Sequence, residues 1–322
     1  MIETRGLSKS FGAKVAVEGL NLEVGEGEVF GFLGPNGAGK TTTLRVLSCL
    51  ISATSGEAWV AGWRVGQDDQ RIRGLVGILT EVPGLYERLN ASQNLDYYAR
   101  LYGLPAVRRA AQIEKYLRLV GLWERRSEPV GRFSKGMQQK LAIARSLVHE
   151  PRVLLLDEPT AALDPESAHI VRSFIGQLRQ EGRTIFLCTH NLDEADRLCD
   201  RIAIVRQRVL SIGSPSELRH RLFGRRIVAQ LATVTPEVAA AVRRLPFVNG
   251  VEQSGNRLTV SLDDPERQNP TLVREMVLAG GQVQYVIEER ASLEEVYLNL
   301  VSQDGEPTAA RMSPRLSAGG SQ

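Results

Sequence analysis

The chain has 322 residues, 43% of them hydrophobic and 24% charged, with a formal net charge of +3. That length suits one large and one small domain, and the composition excludes a disordered chain and a strongly basic nucleic-acid binder. No apolar run approaches the roughly 18 residues needed to span a bilayer, and the first residues, MIETRGLSKS, carry charges where a secretory signal is apolar. Cys49, Cys188 and Cys199 are odd in number, lack CxxC spacing and sit in apolar or helical patterns, which points to reduced, buried thiols in a cytosolic protein.

Residues 2–7, 16–24 and 56–61 read as short strands broken by Gly and polar turns, an antiparallel sheet. Residues 28–33 are an apolar run expected as a buried strand, and 41–50 carry a helical pattern. Between them stands GPNGAGKTT at 34–42, which fits GxxxxGK[ST] in the strand–loop–helix context that the pattern requires. Gly34, Gly37 and Gly39 free the backbone to wrap an anion. The loop, with Pro35, Asn36, Ala38 and Thr42, turns successive N–H groups and a helix N-terminus toward phosphates. Lys40 adds a point charge for the β and γ oxygens and Thr41 a hydroxyl for Mg²⁺.

Residues 92–149 have helical periodicity: Leu95, Tyr98, Ala99 and Tyr102 recur at i, i+3, i+4 and i+7, as do Ile113, Tyr116, Leu117 and Val120. This is expected as an inserted helical subdomain. Near its end Ser134 caps a helix whose apolar face is Met137, Leu141, Ala144, Leu147 and Val148. Apolar runs at 153–156, 184–189 and 201–205, separated by helical stretches, are the alternation of a parallel α/β sheet. Asp157 and Glu158 end the first of these runs. Adjacent carboxylates repel unless a cation relieves them, so one suits Mg²⁺ and the next suits work on water.

Residues 211–215 form a Gly/Pro/Ser break, and the Arg-rich stretch after it is expected as a linker, 216–226, dividing a domain at 1–215 from a second at 227–302. In the second, a strand at 227–232, a helix opening at Thr235, strands at 250–253 and 257–262, a helix at 270–278 and a strand at 283–287 predict a small α+β sandwich. Ser292 and Glu295 make a capping box that opens a last helix. Residues 303–322, rich in Ser, Gly, Pro and Ala, are expected as a disordered tail.

On these residues the chain resembles the nucleotide-binding subunit of ATP-binding-cassette transporters over 1–215, in the drug and antibiotic exporter subgroup with a separate membrane permease. FSKGMQQ at 133–139 is similar to the LSGGQ signature, with Lys135 and Met137 as departures; LLLDEP at 154–159 resembles Walker B; Ala162-Leu163-Asp164 resembles the D-loop; Cys188-Thr189-His190 ends like the switch histidine. Phe11, before Gly12, occupies the place of an adenine-stacking aromatic, and Glu81 stands where the family's Mg²⁺-contacting Gln would be. ASLEEVYL at 291–298 looks like the end of the exporter ATPases.

The resemblance implies a P-loop fold with a parallel α/β core, an antiparallel β subdomain and a helical subdomain. It further implies ATP and Mg²⁺ as ligands, Thr41 and Asp157 at the metal, Glu158 as general base and His190 on the γ-phosphate. Ser134, Gly136 and Asp164 would meet the nucleotide of a second ATPase subunit, expected as a second copy of this chain. Integral membrane permease subunits are the other implied partners, with no nucleic acid, and the location implied is the cytoplasmic face of the cell membrane. A non-transport ATPase switching on a macromolecular partner is the alternative, but this chain carries no second cassette, long coiled coil or basic extension. A small-molecule kinase has no use for the signature or the D-loop.

Overall fold

The computed structural model describes residues 1–161, 163–289 and 291–305, which divide between Ser214 and Pro215 into two compact units. In the first, β1 (Ile2–Phe11) and β2 (Lys14–Val24) form a hairpin whose turn uses Gly12 at φ +58°. The chain then enters β3 (Val29–Leu33), buried along its whole length, passes the glycine loop and starts α1 (Lys40–Leu47). β4 (Ser55–Val60) and β5 (Trp63–Arg64) complete an antiparallel sheet of order β2-β1-β4-β5.

After α2 (Asp69–Leu75) and β6 (Val76–Leu79) comes the helical subdomain, α3 (Ala91–Leu101), α4 (Ala106–Leu119) and α5 (Lys135–Leu147). The chain returns through β7 (Val153–Asp157), α6 (Pro165–Gln180), β8 (Thr184–Thr189), α7 (Leu192–Leu198), β9 (Arg201–Arg206) and β10 (Arg208–Gly213). The second sheet has the order β10-β9-β3-β8-β7-β6, parallel except for the β10 edge. Strands buried on both faces read as continuous apolar runs, as β3, β7 and β8 do. The Phe30 and Phe32 rings pack on Phe186 across the β3–β8 pair at 5.8 and 5.3 Å. Because β8 lies between β3 and β7, the pairs Leu33 with Thr189 and Asp157 with Cys188 bring three carboxyl ends together, where open α/β sheets bind ligands.

The second unit runs α8 (Pro215–Phe223), β11 (Arg225–Leu231), α9 (Pro236–Arg243), β12 (Val248–Ser254), β13 (Arg257–Leu262), α10 (Pro265–Leu278), β14 (Val283–Glu289) and α11 (Leu293–Gly305). Its antiparallel sheet has the order β12-β13-β11-β14, the split β-α-β arrangement. Ile227, Ala229 and Leu231 pack with Val238 and Val242 of α9 and Leu272 and Met276 of α10.

Three expectations are corrected. Residues 216–226 are not a linker: they form α8 and the start of β11. Pro215 opens that helix, Leu218 is fully buried on it, and Arg225 is tied to Glu266 and Glu288, so the arginines are partnered rather than loop-like. α10 begins five residues before the expected start at Pro270, because Asp264 caps it through the Arg267 N–H at 3.3 Å and Pro265 supplies the first turn. α11 continues to Gly305, past the expected tail boundary at 303, and the rest of that tail lies outside the described residues. The other expected strands and helices are present with ends shifted by a few residues, whereas β5, α2 and β6 were not expected from the sequence. The edge strand β10 went unread, because Ser211 to Gly213 looks like a turn.

His149, just past α5, fastens the helical subdomain to the parallel sheet. Its Nε2 donates to the Val76 carbonyl at 3.1 Å and its ring stacks on Tyr102 at 3.6 Å. Nδ1 is buried with no partner, and burial pushes the imidazole pKa down to about 4, opposed by the Val76 bond. An unfolded chain takes up this proton near pH 6.5 and the folded protein only near 4, so stability is whole above that window and falls as pH drops through it. The loss reaches about 3 kcal/mol. Urea unfolding at pH 7 and pH 5 is therefore expected to show a clear acid loss in the wild type and a smaller one in His149→Gln. Equal losses in both would place the acid sensitivity elsewhere.

Candidate functional site

The loop between β3 and α1 is built on glycines that admit no side chain. Gly39 has φ +95°, and a Cβ there would lie 2.4 Å from the Ala16 carbonyl of β2; a Cβ on Gly34 would lie 2.4 Å from the Val205 carbonyl of β9. Gly37, at φ +84°, faces open space and serves the turn alone. The loop is thus clamped between the two sheets, and its helix presents unpaired N–H groups to whatever lies in front.

In front is a cleft of about 330 Å³ lined by the loop, Phe11, Lys14, Glu81, Asp157, Glu158 and His190. Phe11 and Lys14 flank the β1–β2 turn, and the Phe11 ring is 51% exposed with the Lys9 ammonium 5.0 Å from its centre. An exposed aromatic face suits a purine ring. Lys40 Nζ donates to the Gly34 and Pro35 carbonyls at 2.7 and 3.3 Å and stands 3.6 Å from Glu158 Oε1.

The acids differ in environment. Asp157, 1% exposed, accepts the Thr41 hydroxyl on Oδ2 at 2.7 Å, while its Oδ1 is buried without a partner. Burial pushes this carboxyl above the ordinary carboxylate range, and the Glu158 and Glu81 charges add to the shift against the Thr41 bond and the Lys40 charge. Thr41 and Asp157 therefore offer adjacent hard oxygens, one lacking a partner, which fits Mg²⁺ held by few protein ligands and substrate phosphates.

Glu158 has φ +49°, a left-handed conformation that costs a non-glycine residue of order 1 kcal/mol. Its N–H bonds the Cys188 carbonyl at 2.9 Å, which holds that turn against the end of β8. Its Oε1 lies 2.8 Å from His190 Nδ1, and Oε2 is 3.3 Å from the Thr189 hydroxyl. A carboxylate only accepts, so Nδ1 carries a proton and Nε2 of the exposed ring is turned to other partners.

Glu81 reaches the cleft on a segment held by α5: Arg145 Nη1 donates to the Pro83 and Gly84 carbonyls at 2.6 and 3.1 Å, its guanidinium 5.1 Å from the Tyr98 ring centre. Ser134, Gly136 and Asp164 do not line the cleft. Ser134 caps α5 through the Met137 N–H at 3.2 Å, and Asp164 caps α6 through the Ser167 N–H at 2.9 Å. A Cβ on Gly136 would come within 3.7 Å of Asp164 Oδ2, so signature and D-loop residues form one patch apart from the phosphate loop. Ala162 of the D-loop lies outside the described residues. Sequence reasoning missed Lys14, whose signal is its place after the turn glycine, and Thr189, Thr160 and Glu194, which carry no local signal.

Comparison with known proteins follows the same division. The ABC transporter family profile matches residues 17–161, and the profile described as ATP-binding protein DrrA1-3-like, C-terminal domain, matches 213–301. The daunorubicin resistance ATP-binding protein DrrA3 of Streptomyces coeruleorubidus is 38% identical, covering 94% of this chain and 96% of its own. The Nod factor export ATP-binding protein I of Rhizobium sp. (strain N33) is 34% identical over 95% of this chain and 98% of its own. Among solved structures, the dimeric ATP-binding cassette MJ0796, in a post-hydrolysis state bound to ADP and Pi, superposes with a TM-score of 0.61 at 25% identity, over 66% of this chain and 98% of that one. With its phosphate loop, paired acids and histidine gathered in one cleft, the chain belongs to the ABC transporter family as an ATP-binding, ATP-hydrolysing subunit.

Proposed function

We propose that this chain is the ATPase of an exporter, working as a pair of copies on the cytoplasmic face of the membrane beneath a separately encoded permease. The observation that carries the chemistry is the Glu158 carboxylate, held between Lys40, His190 and Thr189 beside the phosphate loop. The relatives' names supply the export reading. The separation of the signature patch from the cleft supports pairing, since Ser134, Gly136 and Asp164 are left for the nucleotide of a facing copy. No helix among the described residues is long and apolar enough to cross a membrane, and the transport path is assigned to the permease.

In this reading adenine stacks on Phe11, and the loop N–H groups with Lys40 take the β- and γ-phosphates, Lys40 exchanging its carbonyl partners for phosphate oxygens. Thr41 and Asp157 would hold Mg²⁺, which would supply positive charge to offset that of the phosphates. Glu158 accepts a proton from water as the new oxygen–phosphorus bond forms and the bond to the ADP oxygen breaks. His190 steadies Oε1 of Glu158 through Nδ1 and donates from Nε2 to the γ-phosphate, which requires both ring nitrogens to be protonated. The second unit is an accessory domain that the cleft does not need.

Glu158→Gln keeps the shape and loses the basic oxygen, so ATP affinity is expected to hold while turnover falls by about a hundredfold or more. Phosphate release and nucleotide titration on the same protein check this; turnover near wild type would remove Glu158 as base. Glu81 is a carboxylate facing a polyanion and is unfavourable unless metal intervenes. Wild-type nucleotide affinity should therefore fall more steeply on Mg²⁺ removal than that of Glu81→Gln, which should stay active. Identical metal dependence in the two titrations would take Glu81 out of the site. A chain ending at Ser214 is expected to fold and bind ATP; an insoluble product, or one that binds no nucleotide, would contradict the accessory assignment.

A further inference from the structure

A second carboxylate stands directly behind Glu158. Glu194, in the first turn of α7, is 2% exposed, and both of its oxygens accept hydroxyl hydrogen bonds, Oε1 from Thr160 at 2.8 Å and Oε2 from Thr189 at 3.2 Å. Thr189 Oγ1 lies at the same time 3.3 Å from Glu158 Oε2 and accepts the Asn191 N–H at 3.0 Å. A threonine hydroxyl has one proton. Thr189 can give it fully to only one of Glu158 and Glu194, and at 3.3 and 3.2 Å from the two it shares it weakly between them.

That sharing matters because the two oxygens of Glu158 are unequally engaged. Oε1 is bonded to His190 at 2.8 Å with Lys40 at 3.6 Å, whereas among the described residues Oε2 meets only the Thr189 hydroxyl, at 3.3 Å. Oε2 is therefore the less engaged oxygen, with a lone pair left for a water proton even while Thr189 bonds it. A full, unshared hydrogen bond from Thr189 would make that carboxylate a weaker acceptor for the water proton. Of the charges acting on Glu194, Arg172 of α6 attracts it and Glu158 repels it. Neither replaces the two hydroxyls, so the structure keeps a buried carboxylate that packing alone does not require.

We propose that Glu194 is a positioning residue for ATP hydrolysis: by competing for the Thr189 proton it keeps the Thr189 bond to Oε2 of Glu158 weak, so that this oxygen is held in place and still accepts readily from water. The inference rests on the reading of Glu158 as general base. It assigns Thr160 a supporting part, since its hydroxyl satisfies the other oxygen of Glu194 and fixes the carboxylate plane.

The test measures kcat and KM for ATP in Thr189→Val, Thr189→Ser, Glu194→Gln and the Thr189→Val/Glu194→Gln double variant, with Glu158→Gln alongside. Thr189→Val keeps the shape and removes the hydroxyl, and it is expected to lower kcat about tenfold with KM within about twofold. Thr189→Ser, which keeps the hydroxyl, should retain at least about half of wild-type kcat. In Glu194→Gln the amide N–H faces Thr189 and turns its proton onto Glu158, so kcat should again fall severalfold at unchanged KM. The double variant should be no slower than the slower single, because Glu194 acts through Thr189.

Losses that multiply in the double variant, losses that appear in KM, or a Thr189→Ser as slow as Thr189→Val would overturn the proposal. So would wild-type kcat in both Thr189→Val and Glu194→Gln. Should Glu194→Gln fail to fold, the Val and Ser pair at Thr189 decides the matter. An active Glu158→Gln sinks the base assignment itself, whereas an inactive one beside a fully active Thr189→Val sinks only the positioning role.

Discussion

Four carboxylates converge at the carboxyl end of the parallel sheet, and the site is organised by how their repulsion is managed. Two unit charges about 4 Å apart interact by roughly 4 kcal/mol at the effective dielectric near a protein surface, so Asp157, Glu158, Glu81 and Glu194 cannot gather without relief. Each finds a different one. Lys40 and His190 face Glu158, Thr41 bonds Asp157, two hydroxyls satisfy Glu194, and Glu81 stays exposed at the rim. Asp157 Oδ1 is buried with no partner among the described residues, and burial raises that carboxyl. The arrangement of these charges fits a nucleotide that brings a cation with its phosphates.

The backbone supplies the rigidity that this electrostatics needs. Gly34 and Gly39 lie against main-chain carbonyls of β9 and β2, so the phosphate loop cannot drift without moving both sheets. On the opposite wall Glu158 is held in a left-handed turn by its N–H bond to Cys188. Strain of that kind persists where surrounding structure over-determines it. Here the parallel register of β7 and β8 does so, and the carboxylate is aimed before any substrate arrives.

The helical subdomain meets this wall through buried apolar packing, Ile143 and Leu147 of α5 with Leu79, Leu154 and Leu156, and through a few polar bonds. Gln139, buried on the helix that Ser134 caps, donates to the Pro159 carbonyl at 3.0 Å, one residue beyond Glu158. Arg145 of the same helix holds the segment carrying Glu81. One helix therefore touches both the turn that presents Glu158 and the loop at the cleft rim. Asn94 fixes the next segment, bonding the backbone N–H and carbonyl of Tyr86 at 2.9 and 3.0 Å. A shift of the subdomain would thus reach the cleft through identifiable contacts.

What was legible in the sequence was whatever is encoded locally. A glycine loop between strand and helix, acids ending an apolar run and capping residues such as Ser134, Thr235 and Ser292 state their geometry within a few residues, so the phosphate loop, the paired carboxylates and most elements could be placed. Where the local signal was ambiguous it failed: an Arg-rich stretch with one buried leucine looked like a linker and is α8, and Ser211 to Gly213 looked like a turn and is the end of an edge strand. Asp164 and Ser134 show the opposite limit, because a motif names them while the chain by itself gives them only capping bonds. The tertiary structure alone decided the company each acid keeps. Thr160, Thr189 and Glu194 are ordinary residues of a turn, a strand end and a helix start, and nothing in their order shows that their oxygens meet behind Glu158. That meeting depends on β8 being inserted between β3 and β7, a long-range strand order fixed by burial of whole apolar strands rather than by any neighbouring residue.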